Sequence, residues 1–540
     1  MSTNPSPAVA AALSLIFPGL GQIYAGAVRR GVIWALPTLV LILLGLIVLV
    51  SKYSLAGLVT SDATLAVIAL EIAFLFYHLA AMIDAYSIAQ RGRHIVGVAT
   101  SGVAALSLIL LLVVALALHG YPLYLSVIGN SALAQLFPGR SDVLPSTSFA
   151  TEPPESIPVE VTDSPAPTTP GSTPSPTATP TEGTSPTPSA LITAPPTTFP
   201  PLDTPWGDRL NLLLIGSDAG PGRHGGRTDT MILLSVQIST GRAAMFGFPR
   251  NMSNVPIEDA AGTNTFNRVW TDPYPPGNGN PGSSLLTNLW QYAYDHPAQF
   301  YTPTNSCDPN DPNLDQCLGD ARAFRATAGA IQNLAGVAIN GIIAVNLEAF
   351  RDLVDAIGGV WIDVPQAVYD SAYPSGDGVS PKIIDIPAGC NWFDGIYALA
   401  YARSRHQDSD YQRMRRQQLV LTAIRRQFDP LAMLPKADQL LQTAANNLWT
   451  TISRDDIPLL AQIASRVNAD LIYNVRITPG QGYPSYVTDA EVTSIRSRVQ
   501  NIFTQAQPQQ TPPPDNPQHR CPAPGQTPGP SFNTNPSPSP

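Results

Sequence analysis

Three apolar runs dominate the first 120 residues: Gly31 to Val50, Ala63 to Ala85 and Val96 to Leu118. Each is long enough to cross roughly 30 Å of hydrocarbon, so the pattern predicts transmembrane helices. A weaker run, Ala8 to Gly26, is interrupted by Pro18, Gly19 and Gly21; it reads as a span, a re-entrant element or an interfacial one. Glu71 and His78 in the second clear run are seven residues apart and share a helix face. Ionisable groups at such depth suggest function, and a packed polar contact is the simpler alternative.

Further on, the apolar positions form shorter blocks. Leu210 to Ile215, Met231 to Val236, Ala243 to Phe248, Gly341 to Val345, Val360 to Val364 and Leu471 to Ile477 are strand-like. Helical spacing appears in Ala323 to Leu334, Leu347 to Ile357, Gln412 to Phe428, Lys436 to Leu448, Ile457 to Val467 and Asp489 to Thr504, with Gly358-Gly359 as a stop signal. Alternation of this kind predicts an α/β fold, a layered α/β/α head around a central mixed sheet. Thr271 to Asp320 carries Pro, Gly and Asn clusters and reads as a loop-rich insertion.

Composition changes the picture in two places. Proline accounts for 55 of 540 residues, about twice the usual share of roughly 5%. Much of it falls in two blocks. From about Leu144 to Pro205 the chain is Pro, Thr and Ser with almost no aliphatic clusters, which cannot offset the entropy of ordering. This predicts a disordered tether holding a globular head away from the bilayer; a second such stretch, from Gln507, predicts a disordered tail. The expected organisation is a membrane domain of three to four spans over 1–120, a linker over 121–205, the head over 206–505 and a tail over 506–540.

Charge sets the orientation. Arg29 and Arg30 precede the first clear run, Arg91 and Arg93 separate the last two, and Lys52 alone lies in the intervening loop. Basic loops mark the cytoplasmic side, so the expectation is a multi-pass cell-membrane protein with an extracytoplasmic head. The net charge of −9 and the absence of a long basic run argue against a nucleic-acid partner. Outside the membrane, Cys307 and Cys317 are expected to form a local disulfide; Cys390 and Cys521 pair or do not, with nothing to decide between them.

Three stretches concentrate charge in a charge-poor chain. Gly216-Ser217-Asp218 follows a strand and Gly226-Arg227-Thr228-Asp229-Thr230 precedes the next, so Asp218 and Asp229 fall at adjoining strand ends. Two such carboxylates can share a divalent cation with waters and phosphate; turn and cap chemistry is the alternative reading. The third stretch runs from Arg403 to Gln418 and holds five arginines in fourteen residues. Arg413, Arg416 and Gln417 share one helix face by their spacing, and guanidinium forks suit phosphate oxygens. Asp410 begins this helix and can accept an arginine bond or act as a cap. A solvated, salt-bridged helix is the alternative, although local carboxylates are few. Arg415 points off the common face. Arg250, after the third strand, can reach the same end of the sheet.

The segments LNLLLIGSD, GRTDTMILL, FGFPRN, FRDLVDAIGGVWIDV and ALAYARSRHQDSDYQRMRRQQ, in this order, resemble the LytR-CpsA-Psr family of cell-envelope glycopolymer transferases over roughly 207 to 430, with weaker agreement to about 505. The resemblance implies transfer of a glycopolymer from a polyprenyl-pyrophosphate carrier onto peptidoglycan through a phosphodiester, assisted by Mg²⁺ or Mn²⁺. It implies metal and pyrophosphate roles for Asp218 and Asp229. Pyrophosphate-binding or catalytic roles fall to Arg227, Arg250, Arg403, Arg405, Arg413, Arg416 and Gln417, and an orienting role to Asp410. It also implies a long apolar groove for the isoprenoid. Asn251 stands where the family usually has an acidic residue, and Thr265-Phe266-Asn267 lacks the usual lysine. A hydrolase using water as acceptor, and a non-enzymatic wall-polymer-binding regulator, are the competing readings.

Overall fold

The computed structural model describes residues 5–50, 57–95, 102–145, 198–218, 226–262, 268–270, 284–371, 373, 383–404, 409–428, 448–468, 472–478, 485–504, 521 and 533–534. The first part is helical: α1 (Pro7–Ile16), α2 (Leu20–Tyr24), α3 (Val28–Val50), α4 (Ser61–Ile95) and α5 (Gly102–Leu136). Among the described residues, α3, α4 and α5 are long and apolar enough to cross a membrane. The Ala8 to Gly26 run does not form one continuous helix but divides into α1 and α2. At about 1.5 Å per residue, the ten residues of α1 rise roughly 15 Å, about half the hydrocarbon thickness.

The break after α1 has a steric cause. Gly19 adopts φ 105°, and a Cβ there would meet the carbonyl oxygen of Gly31 at 2.2 Å, so only glycine allows the chain to turn against α3. Beyond it, Ala10, Ala11 and Ser14 of α1 are fully buried. Ala10 packs against Ala85 and Ala89 of α4 and Ala11 against Tyr86; the alanines permit close helix approach. Glu71 and His78 are joined through a third residue: His78 Nδ1 meets His119 Nε2 at 2.8 Å, and His119 Nδ1 lies 3.8 Å from Glu71. His78 Nε2 also meets the Ser14 carbonyl at 2.9 Å. Since a carbonyl only accepts, Nε2 carries the hydrogen and Nδ1 receives one from His119. Ser14 Oγ donates to Gln22 (3.1 Å), whose amide donates to the Ala81 carbonyl (2.8 Å) and Asp84 (3.3 Å). These polar groups are thus satisfied within the bundle, as hydrocarbon surroundings favour.

The head contains β1 (Arg209–Ser217), β2 (Thr228–Gln237), β3 (Arg242–Gly247), β4 (Met252–Ser253), β5 (Val255–Ile257), β6 (Arg268–Trp270), α6 (Leu286–Asp295), α7 (Leu314–Ala335), β7 (Gly341–Asn346), α8 (Leu347–Ala356), β8 (Val360–Val364), β9 (Val368–Asp370), β10 (Ile384–Ile386), β11 (Gly389–Phe393), α9 (Gly395–Arg403), α10 (Asp410–Gln427), β12 (Leu448–Thr450), α11 (Ile457–Arg466), β13 (Ile472–Arg476), β14 (Ser485–Tyr486), α12 (Asp489–Gln500) and β15 (Asn533–Thr534). The central sheet has strand order β12-β7-β1-β2-β3-β13. It is mixed: β7 runs parallel to β1 and β13 parallel to β3, while β1, β2 and β3 alternate.

Side-chain alternation along β1 builds two layers. Leu213 and Ile215 join the core over α6, α7 and α12, with Met231, Phe246 and Ile342. Leu210, Leu212 and Leu214 face the other way, with Ile232, Met245, Leu421 of α10 and Leu459 of α11. A third cluster centres on Val360, Ile362, Phe393 and Tyr401 and joins β8 and β11 to α9 and α10. The Thr271 to Asp320 stretch is less loop-like than expected, because it supplies α6 and the start of α7. Leu448 opens edge strand β12 instead of ending a helix; the rest of the expected Lys436 to Leu448 helix lies outside the described residues.

The ends of the head also differ from expectation. The boundary at 121 falls inside α5, which continues to Leu136. The chain then enters the head: Pro138 bridges Ser453, and Val143, in a 3-10 turn at Ser141–Val143, is fully buried in the main core. The Pro/Thr/Ser stretch at 146–197 lies outside the described residues, but both of its ends belong to the head, since Phe199 donates to the Ser239 carbonyl at 2.8 Å. At the other terminus, Cys390 pairs with Cys521 and β15 adds to β11 in parallel, so the tail returns to the head. Cys307 and Cys317 pair as expected, with Cα atoms 5.9 Å apart.

Asp320 on α7 gives this architecture a pH dependence. Burial pushes its carboxyl up to about 7, with Arg140 pulling it back. The folded protein therefore holds this proton more tightly than the unfolded chain. Its contribution to stability is complete below about pH 4 and is lost as pH rises through about 7. Thermal melts of the full-length protein in detergent should show Asp320→Asn raising Tm relative to wild type at pH 8 and the gap closing at pH 4. A gap that is equal at both pH values would contradict the assignment.

Candidate active site

The polar end of a groove on the second face of the sheet collects charge from four places in the chain. Asp229 comes from the start of β2, Arg250 follows β3, Arg403 ends α9, and Asp410 and Arg413 open α10. Arg250 bonds Asp229 Oδ1 at 2.5 Å and lies 3.8 Å from Asp410. Arg413 reaches Asp410 at 3.3 Å and the Asp229 backbone carbonyl at 3.3 Å. The i,i+3 spacing on α10 makes the Asp410–Arg413 pair local, and the acidic residue in the first turn complements the helix dipole. Asp410 thus ties two guanidiniums from distant segments.

Arg413 is only 3% exposed. Burial, above all, holds its guanidinium below the ordinary pKa; Asp410 opposes that, and Arg250 adds repulsion. Its Nε is buried and has no hydrogen-bond partner among the described residues. Three guanidiniums, Arg250, Arg403 and Arg413, line the same cavity as three carboxylates, Asp229, Asp370 and Asp410; Asp229 and Asp410 pair with the arginines, while Asp370 accepts from the Ser404 hydroxyl. The cavity, about 770 Å³, continues from this end between sheet and helices. Its apolar part is lined by Leu214, Val345, Phe350, Leu353, Leu421 and Ile424 among others, residues whose helical and strand periodicities bring them to one slot.

The residues expected to act together divide into groups. Asp229, Arg250, Arg403, Asp410, Arg413 and Gln417 line the cavity. Arg416 does not share that face. It is buried on the other side of α10, donating through Nε to the Tyr401 carbonyl at 2.9 Å and through a terminal nitrogen to the Ser404 carbonyl. Helix α10 is packed on two sides, so i+3 from Arg413 turns towards α9 while i+4 stays on the groove. Arg227 is exposed in the β1–β2 hairpin, where its backbone N–H donates to Asp218 Oδ1 at 2.5 Å. Asp218 thereby closes the turn, as the turn-chemistry alternative expected. Arg415 is exposed. Arg405 and Thr265-Phe266-Asn267 lie outside the described residues.

Two contributors gave no signal in the sequence. Asp370, 3% exposed at the end of β9, accepts from Ser404 Oγ at 2.8 Å and steadies the chain just after Arg403. Tyr373 stacks under the Arg403 guanidinium, 5.7 Å from ring centroid to Cζ, a cation–π arrangement. Neither belongs to a charged run, and only the folding of β9 beside α9 brings them in. Oxygen donors suit Mg²⁺, which takes one or two carboxylates and leaves places for water and phosphate. Asp229, on the cavity wall, fits that requirement.

The sequence profile of the LytR_cpsA_psr family matches residues 196–289 and 323–504. The chain is 26% identical over 256 residues to the polyisoprenyl-teichoic acid–peptidoglycan teichoic acid transferase TagU of Oceanobacillus iheyensis, covering 47% of this chain and 62% of that protein. It is 30% identical over 159 residues to the transferase TagV of Bacillus subtilis, covering 29% and 40%. The chain thus spans less than two thirds of the length of either relative. The crystal structure of B. subtilis TagV aligns at 19% identity with a TM-score of 0.36, over 54% of this chain and 96% of that one.

The division of the arginines is testable without substrate. Arg416→Ala removes a buried guanidinium from two carbonyls and should cost about 2–3 kcal/mol, read as a lower midpoint in chemical denaturation. Arg415→Ala should change the midpoint by less than about 0.5 kcal/mol. Equal effects would contradict the placement.

Proposed function

The chain belongs to the LytR_cpsA_psr family, and from that membership we propose that it transfers a glycopolymer from a polyprenyl-pyrophosphate carrier onto peptidoglycan through a phosphodiester bond, in cell-wall biogenesis. One observation carries the reading: an arginine cluster braced by two carboxylates closes one end of an otherwise apolar groove. A pyrophosphate with a long isoprenoid tail has the same division into doubly anionic head and apolar chain. The printed names of the TagU and TagV relatives, as teichoic acid transferases, support the class of donor and acceptor.

In this reading Arg250, Arg403 and Arg413 hold the two phosphates, and Gln417 adds a side-chain amide from the same wall. Asp229 and Asp410 keep the guanidiniums apart and oriented before the donor arrives, so little reorganisation accompanies reaction. An acceptor hydroxyl attacks the phosphorus next to the glycan, and its proton passes to solvent. The bond from that phosphorus to the bridging oxygen breaks, and prenyl monophosphate leaves with the electron pair. Phosphoryl transfer depends on such positioning and charge neutralisation more than on covalent help from protein groups. Mg²⁺, held by Asp229 with Asp218 nearby in the chain, would supply further neutralisation of the phosphate oxygens.

The head is read as extracytoplasmic. It meets the ends of α4 and α5 at Ser61 and Asn130, whereas Arg29, Arg30, Arg91 and Arg93 lie at the other ends of α3 and α4, which supports the positive-inside orientation.

The test is incubation of the full-length protein with Mg²⁺ and a polyprenyl-pyrophosphate oligosaccharide, with and without peptidoglycan, followed by identification of all products. Oligosaccharide joined to peptidoglycan by a phosphodiester is expected. Free oligosaccharide phosphate in the presence of acceptor would instead establish hydrolysis. Arg413→Ala and Asp229→Ala should each lower turnover about 100-fold or more while the protein still folds; full activity in either would contradict the reading.

A further inference from the structure

The head is attached to the helical bundle twice. Arg454, in a 3-10 turn at Arg454–Asp456, is 7% exposed and donates to acceptors that all belong to the bundle side. These are the Val59 carbonyl at 3.0 Å, Thr64 Oγ1 at 2.7 Å, Asn130 Oδ1 at 3.0 Å and the Thr60 carbonyl at 3.4 Å. The adjacent Asp455 accepts from both the backbone N–H and the hydroxyl of Ser61 at 3.0 Å. Breaking such a buried guanidinium site would strand several polar groups.

The second attachment is the chain itself. Arg140, just past α5, lies over the Trp449 ring at 5.0 Å. Asp142 accepts from the Asn305 backbone at 3.0 Å and from the Ser306 hydroxyl. Arg325 donates to the Asp142 and Leu144 carbonyls at 2.9 and 3.0 Å while paired with buried Glu258 at 2.8 Å. Because the Pro/Thr/Ser stretch starts and ends on the head, it does not set the distance from head to bilayer. These two attachments do.

They also fix how the groove stands. Strand β12 runs antiparallel to β7, with Leu448 opposite Val345 and Thr450 opposite Ile343; four residues further on, Arg454 meets the bundle. The bundle therefore lies off the N-terminal ends of β1 and β7, and Asp229 lies at their C-terminal ends. At roughly 3.3 Å per residue along β7, the anion site stands on the order of 20 Å above the bundle. A lipid headgroup starting at the bilayer surface reaches it only if a matching length of prenyl chain leaves the bilayer, and exposing that chain to water is unfavourable. Leu448 and Val345 line the apolar groove on the side nearest the edge strand.

We propose that the head reacts while seated on the bundle, and that the donor's prenyl chain climbs from the bilayer along the seam beside β12 into the groove. The inference rests on the transferase reading and adds the route and the working posture. The first test places cysteines at Ser61→Cys and Asp455→Cys in the full-length protein in liposomes and joins them with a short bifunctional thiol reagent. Efficient crosslinking is expected, with transfer within about two-fold of single-cysteine controls given the same reagent. No crosslink, or a ten-fold loss confined to the locked protein, overturns the seated state. No transfer in locked and unlocked protein alike overturns the transferase reading, and this inference falls with it. The second test uses Arg454→Ala. Turnover of a long-chain donor embedded in liposomes should fall at least ten-fold, while a water-soluble short-prenyl donor should react within two-fold of wild type. An equal effect on both donors, including no effect on either, overturns the route.

Discussion

The site depends on holding like charges together. Arg250 and Arg413 come from distant segments of the head's sequence, and each would repel the other in a partly dry wall. Asp410 lies between them, 3.3 Å from Arg413 and 3.8 Å from Arg250, and Asp229 takes the remaining reach of Arg250. In a medium less polar than water such attractions are strong, and so is the cost of removing one member. The rest of the head can be understood as the means of fixing those four residues: adjoining strands β2 and β3 set Asp229 and Arg250, while the packed face of α10 sets Asp410 and Arg413.

That constraint explains which parts of the site were legible in the sequence. Charged residues in a charge-poor chain, next to strand ends and at a helix start, are conspicuous, and Asp229, Arg250, Arg403, Asp410, Arg413 and Gln417 do meet. Arg416 was misplaced because helical spacing gives a face only when one side of the helix is packed; α10 is packed on two, and Arg416 serves the carbonyls after α9. Arg227 and Asp218 illustrate a different limit. Their neighbouring glycines make the loop visible but do not say whether the carboxylate faces a ligand or its own turn. Asp370 and Tyr373 lie in a polar stretch without periodicity, and only tertiary contact reveals them.

The larger architecture shows the same pattern. Strand blocks and the three long apolar runs follow from local sequence, since burial on one or both faces imposes a period. The relations between regions do not. A Pro/Thr/Ser stretch after a transmembrane helix reads as a stalk, yet Arg325, Asp142 and Val143 carry the chain into the head before that stretch begins. Likewise a proline-rich tail reads as free, although Cys521 and β15 return to β11. Single residues at sites of long-range contact decide these points, and composition averages over them. The result is a head whose arginine cluster, groove and contact with the helical bundle are all placed by one sheet.

The most direct measurement is an experimental structure of the full-length protein with a short-chain prenyl pyrophosphate and Mg²⁺. Both phosphates are expected between the guanidiniums of Arg250, Arg403 and Arg413, at charge-assisted hydrogen-bond distances of about 2.7–2.9 Å, with the prenyl chain along Leu214, Phe350 and Leu421. Phosphates bound elsewhere, or a ligand that leaves all three guanidiniums untouched, would contradict this placement.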